Sequence, residues 1–123
     1  FCKVINPLFL EGLVHGGIAQ GLGLAMLVKC QYESGSGQLL SASFMDYTMP
    51  RADDFPAIQF RRNEVPCQTN PLGIKGAGEA GAIGAPPAIV NAIVNALSDI
   101  GVRHVDMPVS SNKLWEIMQN VSN

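Results

Sequence analysis

One carboxylate in this chain stands in a setting suited to chemistry. Glu79 lies within Asn70-Pro-Leu-Gly-Ile-Lys-Gly-Ala-Gly-Glu-Ala-Gly81, a stretch with glycines at 73, 76, 78 and 81 and few bulky side chains. Glycine-rich backbone lets a second molecule approach the main chain, and a carboxylate beside a ligand, shielded from water, can serve as a general base. The same composition also fits a flexible turn that carries a solvated glutamate. Gln20, in Gly16-Gly-Ile-Ala-Gln-Gly21, offers an amide that can both donate and accept, although a glutamine on a helix surface or in a core needs no ligand. The backbone N–H groups of Gly76, Ala77 and Gly78 could face an anion. Lys75 could pair with a phosphate or with Glu79, or simply lie exposed.

Other acids fit capping, loops or polar faces, except Asp46, which a strand-like apolar segment would bury as a structural acceptor. His15 and His104 have no cysteine or carboxylate at metal-ligand spacing, so no protein-ligated metal is expected. Cys2, Cys30 and Cys67 are three in number, widely spaced and without a CxxC, which indicates reduced thiols and a cytoplasmic setting. The spacing of the glycines matches neither a Walker A loop nor a dinucleotide fingerprint.

The elements that must position these groups follow from periodicity. Lys3–Ile5 reads as extended, ending at Asn6-Pro7. Residues 11–32 read as a helix with Val14, Ile18, Leu22 and Met26 on one face. Glu11, His15, Gln20 and Lys29 interrupt it, so it is not expected to span a membrane. Its glycines at 12, 16, 17, 21 and 23 call for close approach by another body, either a cofactor or neighbouring domain or a tightly packed strand. Gly35-Ser-Gly37 is a turn, residues 38–47 and 57–65 read as strands, and Arg61, Arg62 and Glu64 place the second at an edge or leave it solvated on one face. Pro86 and Pro87 fit the first turn of a helix with Ile89, Ile93, Leu97 and Ile100 buried, ended by Gly101. Residues 102–107 form a short strand, and Ser110 caps a last helix carrying Leu114, Trp115 and Met118, with Trp115 in the core. The predicted fold is a two-layer α+β domain in the order β-α-β-β-α-β-α.

Composition fits one globular domain: 123 residues, 47% hydrophobic, 15% charged and a net charge of −2. That balance favours neither nucleic acid nor an anionic membrane as partner. The first residues, Phe1-Cys2-Lys3, carry no initiator methionine and no signal-peptide pattern, so a piece of a longer chain is expected.

Three blocks in order strengthen that expectation. Val4-Ile-Asn-Pro-Leu with Glu11-Gly-Leu-Val-His-Gly-Gly-Ile-Ala-Gln-Gly-Leu-Gly23, then Ser43-Phe-Met-Asp-Tyr-Thr-Met-Pro50, then Thr69 to Gly81 resemble the molybdenum hydroxylase large subunits. These are the xanthine dehydrogenase, aldehyde oxidoreductase and carbon monoxide dehydrogenase family. The resemblance runs from about Val4 to Trp115 and departs at Phe1-Cys2-Lys3, where related chains carry an acidic residue and a glycine. It implies that residues 1–123 are the C-terminal part of a molybdopterin-binding domain, inactive alone, from an enzyme that oxidises a small carbon substrate with water-derived oxygen. Glu79 then matches the glutamate that takes a proton from a metal-bound hydroxyl as hydride passes to a sulfido ligand. Gln20, Gly21, Gly76, Ala77 and Gly78 match cofactor contacts. The implied cofactor is molybdenum on molybdopterin, in its cytosine dinucleotide form, held by the pterin with no metal ligand from this chain. FAD and iron–sulfur clusters would sit on other domains or subunits, which with the rest of the large subunit would be its partners in a homo-oligomeric assembly. A non-catalytic assembly domain of the same fold is the alternative. The substrate pocket of the family lies upstream, so the substrate stays open.

Overall fold

The computed structural model describes residues 1–121 and is built on three helices: α1 (Pro7–Leu22), α2 (Ala80–Ala96) and α3 (Ser111–Val121). α1 starts where Asn6 predicts a turn. The Asn6 side chain accepts from the Phe9 N–H at 3.0 Å, and Pro7 occupies the first helical position, where its missing donor costs nothing. α1 runs on as a π-helical turn, Gly23–Leu27, and Val28 turns extended, so the helical run ends short of residue 32.

The body that approaches Gly17 and Gly21 is α2, while Gly23 meets Pro50. A Cβ on Gly17 would lie 2.8 Å from the Ala82 nitrogen, and one on Gly21 would lie 2.6 Å from the Ala85 Cβ. Gly81 answers from the other side, where a Cβ would come within 2.5 Å of the Val14 carbonyl oxygen. Contacts advance in the same direction along both chains, so the helices run parallel, backbone nearly on backbone. By length and composition residues 7–27 could cross a membrane. Gly17 and Gly21 seat the helix closely on α2, and 28% of its apolar stretch is buried by the described residues. Gly12 and Gly16, on the other side of α1, face open space.

α2 begins at Ala80, so Pro86 and Pro87 fall inside the helix and not in its first turn. Pro86 is retained there because its ring fills the space left by Gly21. Gly101, at φ +87°, ends the following 3₁₀ turn Ser98–Ile100, and the Val102 N–H reaches back to the Leu97 carbonyl at 3.3 Å.

A small core of Val102, Val105 and Val109 gathers Val90, Ile93, Val94 and Leu97 of α2 with Leu114 and Ile117 of α3. Ile100 stays 39% exposed, outside it. The Val109 N–H donates to the Ala25 carbonyl at 2.6 Å, which ties this core to the end of α1. Ser110 caps α3 through the Lys113 N–H. Trp115 is 60% exposed, not core, because Leu114 and Ile117 take the inward face of α3.

Among the described residues no strand ladder forms, and one antiparallel bridge, Tyr32–Leu39, closes the turn at 34–37. The expected strand at 38–47 is interrupted where the Ser43 carbonyl accepts from the Asp46 and Tyr47 N–H groups. Asp46 is exposed there, not buried, with its carboxylate 3.5 Å from the Ser43 hydroxyl. Residues 57–64 and 102–106 lie outside any helix, turn or ladder, and Met107 is a bend, so neither expected strand forms as one.

Candidate functional site

Glu79 sits at the N-cap of α2 with its carboxylate in the open. The loop before it is held, not slack. Asn70 clasps Ile74 with both amide atoms, accepting from its N–H at 3.1 Å and donating to its carbonyl at 2.6 Å. Gly73, at φ +68°, turns the chain, and its carbonyl accepts from the N–H groups of both Lys3 and Cys67. Only glycine takes that angle without strain, and the buried carbonyl then joins the N-terminal segment to the loop. At the near end the Thr69 hydroxyl, 3.1 Å from the Cys67 sulfur, holds that thiol below its usual range.

Beyond this clasp the backbone is bare. No hydrogen bond among the described residues takes up the N–H groups of Lys75 to Glu79, and a Cβ on Gly76 or Gly78 would meet nothing within 4 Å. With the N-terminus of α2 adjoining, five consecutive free donors suit an oxygen-rich anionic group. A cleft of about 540 Å³ opens over this segment, lined by Gly76, Ala77, Gly78, Glu79, Ala80, Phe1 and Ile83. A second cleft of about 420 Å³ shares Phe1, Gly76 and Ala77 with it and runs along Asn6 and along Phe9, Leu10 and Leu13 of α1.

The sequence-predicted residues therefore divide. Gly76, Ala77, Gly78 and Glu79 come together in one cleft. Gln20 does not join them: it is exposed on α1, beside the open flank of Gly16. Gly21 is buried against Ala85 and Pro86, so α2 occupies the space expected for the cofactor. Lys75 is exposed, with no ion pair to Glu79 among the described residues. The shielding expected around Glu79 is not supplied by these residues. Phe1 and Ile83, which wall the Glu79 cleft, were not singled out from sequence. Ile83 could have been, since it lies one helical turn after Glu79 once α2 starts at Ala80. His15 points into a separate cleft with Arg51 and Phe55; its Nε2 is buried, 4.0 Å from a Glu11 oxygen and without a hydrogen-bond partner.

Residues 1–56 match a molybdopterin cofactor-binding domain. The chain is 37% identical over 111 residues to the nicotine 6-hydroxylase large subunit of Paenarthrobacter nicotinovorans, covering 90% of this chain and 14% of that protein. It is 34% identical over 115 residues to the carbon monoxide dehydrogenase large chain of Hydrogenophaga pseudoflava, covering 94% of this chain and 14% of the relative. The crystal structure of quinoline 2-oxidoreductase from Pseudomonas putida 86 superposes with a TM-score of 0.90 at 37% identity, over 96% of this chain and 15% of that one.

The chain belongs to the molybdenum hydroxylase large-subunit family. It spans about one-seventh of the length of these relatives. Matches of 90% and more carry the molybdenum hydroxylase likeness past residue 56, over the greater part of the chain.

Proposed function

We propose that this chain is part of a molybdopterin-dependent hydroxylase or dehydrogenase, in which it supplies the general base and one wall of the cofactor site. The observation that carries this reading is Glu79 itself, exposed on an open cleft that it shares with Gly76, Ala77 and Gly78, whose N–H groups enter no hydrogen bond among the described residues. When bound, the molybdenum cofactor supplies the two-electron oxidation chemistry, with its metal held by the pterin. The free donors at Gly76, Ala77 and Gly78 would hold its oxygen atoms, and Gln20, set apart from that cleft on α1, would contact another part of it. Glu79 accepts, at a carboxylate oxygen, the proton released as water-derived oxygen is delivered to the substrate carbon. A base does this best when ionised at rest and screened from bulk water. Since the described residues leave Glu79 open, the remainder of the large subunit provides that cover.

The same reading assigns a cytosine dinucleotide form of the cofactor, with FAD and iron–sulfur clusters on other domains or subunits that carry the electrons away. It also assigns a homo-oligomeric assembly and a cytoplasmic setting. The alternative is a non-catalytic assembly role of the same fold, in which Glu79 would be packed away in the full-length subunit.

The test is Glu79→Gln in the full-length subunit, which keeps size and much of the hydrogen bonding but removes the proton acceptor. Molybdenum content and the rate of the reductive half-reaction are measured on the same preparation. Full molybdenum with a rate lowered about 10²–10⁴-fold is expected. A rate within a few-fold of the parent at full molybdenum would overturn the assignment.

A further inference from the structure

Residues 57–64 form no helix, turn or ladder, and over Ala57–Arg61 the side chains alternate. Ile58 and Phe60 are half-buried, with Ile58 on the cleft that also holds His15 and Ala19 of α1, while Ala57, Gln59 and Arg61 are exposed; from Arg62 to Val65 every residue is exposed. That is the pattern of a strand laid on a helical layer. Yet no hydrogen bond among the described residues reaches the backbone of residues 57–62, so both edges of this strand are bare. An extended run of unpaired donors and acceptors is a template for another strand.

One rung fixes which edge is used and in which direction. The Phe1 amino group donates to the Asn63 carbonyl at 3.2 Å, and the Val65 N–H donates to the Phe1 carbonyl at 2.7 Å. A single residue bonded to the residues before and after its neighbour, here either side of Glu64, is the pattern of a parallel ladder. The tilted contact of the Phe1 and Phe60 rings, 6.1 Å between centroids, supports the rung from one face. Because edges alternate with residue number, the backbone groups of Ala57, Gln59 and Arg61 lie on the same edge as those of Asn63 and Val65.

We propose that this edge takes a parallel strand from the remainder of the large subunit, in the register that Phe1 begins, so that residues 57–65 become an inner strand of a sheet packed on α1. The proposal rests on the reading that this chain is a segment of a much longer subunit, and the relatives it matches are about seven times its length. It also accounts for the two-layer α+β arrangement that the sequence implies: a sheet layer is completed only when the second strand arrives.

The test is residue-resolved hydrogen exchange on the full-length subunit. The Gln59 and Arg61 amides should exchange at least 100-fold more slowly than the intrinsic rates of an unprotected chain, independently of protein concentration. Exchange at those intrinsic rates would overturn the proposal. So would protection confined to Phe60 and Arg62, which would put the partner on the opposite edge, or protection that falls on dilution, which would make the partner a second copy. None of these outcomes depends on the chemistry of Glu79, whose own substitution reports on the cofactor site alone.

Discussion

Glu33 is the most completely hydrogen-bonded acid among the described residues, and its bonds serve a turn. Its two carboxylate oxygens accept from the Gly35 and Ser36 N–H groups at 3.1 and 2.6 Å, and its carbonyl accepts from Gly37. The Ser36 hydroxyl first, then those N–H groups, hold its carboxyl below the usual 4.5. A folded-state value below the unfolded one means that Glu33 supports the turn fully above pH 4.5 and progressively less as pH falls through the lowered value. The Ser36 amide should therefore exchange faster as pH is lowered below 4.5, once intrinsic exchange rates are divided out, and Glu33→Gln should flatten that dependence. A Ser36 protection factor that is constant through this window would show that the clamp does not hold the turn. Glu79 is the reverse case: its side chain is not tied down, which leaves it available. The sequence makes that contrast legible in part. A lone acid among glycines stands out by residue type, whereas the capping role of Glu33 depends on the geometry of a three-residue turn.

At the scale of elements, the glycine spacing of α1 announces close approach without saying what approaches. Gly17 and Gly21 are four apart and share a face, and so are Gly81 and Ala85 on α2, so the two small-residue faces meet. Adding a methyl at Gly17 or Gly81 forces backbone apart. Gly17→Ala and Gly81→Ala should each destabilise the chain by about 1–3 kcal/mol, as overpacking does. Gly12→Ala, which meets open space, should stabilise it by up to about 1 kcal/mol through helix propensity. Thermal or denaturant unfolding of the three variants checks the ordering, and a neutral Gly17→Ala would mean that the helices can separate freely. The helices were legible because apolar periodicity and caps are local signals: Ser110 and Gly101 mark the ends of helical segments as expected, whereas α1 starts at Pro7, ahead of the expected Glu11, because Asn6 caps it. The start of α2 was not, because Pro86 and Pro87 read as a first turn while the helix is set by Gly81 seating on α1.

At the scale of the whole molecule, the core is small and the apolar surface large. Leu8 is 82% exposed, Phe44 80% and Met45 93%, alongside Phe9, Trp115 and the clefts at Phe1. Exposed apolar side chains of this size on one short chain mark surfaces normally covered by other protein. The 123-residue chain made alone should self-associate at high micromolar concentration and bind a dye that reports apolar surface. Sedimentation as a clean monomer without dye binding would contradict this. The strands expected at 38–47 and 102–107 and the shielding of Glu79 belong to the same scale. Alternation in a sequence marks a strand, but a ladder and a dry pocket each need a second party, and Phe1 alone lays down one rung of it.

The parallel seat of α1 on α2 has a kinetic side. Gly17 and Gly81 meet across roughly sixty residues of intervening chain, most of it loop, turn and unladdered extension. Closing such a loop costs chain entropy that rises with the logarithm of its length, and nothing rewards the closure until the backbones touch. Two parallel helices also cannot be joined by a tight connection, so the tightest contact in the molecule is among its least local ones. Contacts of this kind slow folding, because the search is completed before its gain is felt. The valine cluster, drawn from the consecutive stretch between α2 and α3, needs no such search and can assemble first.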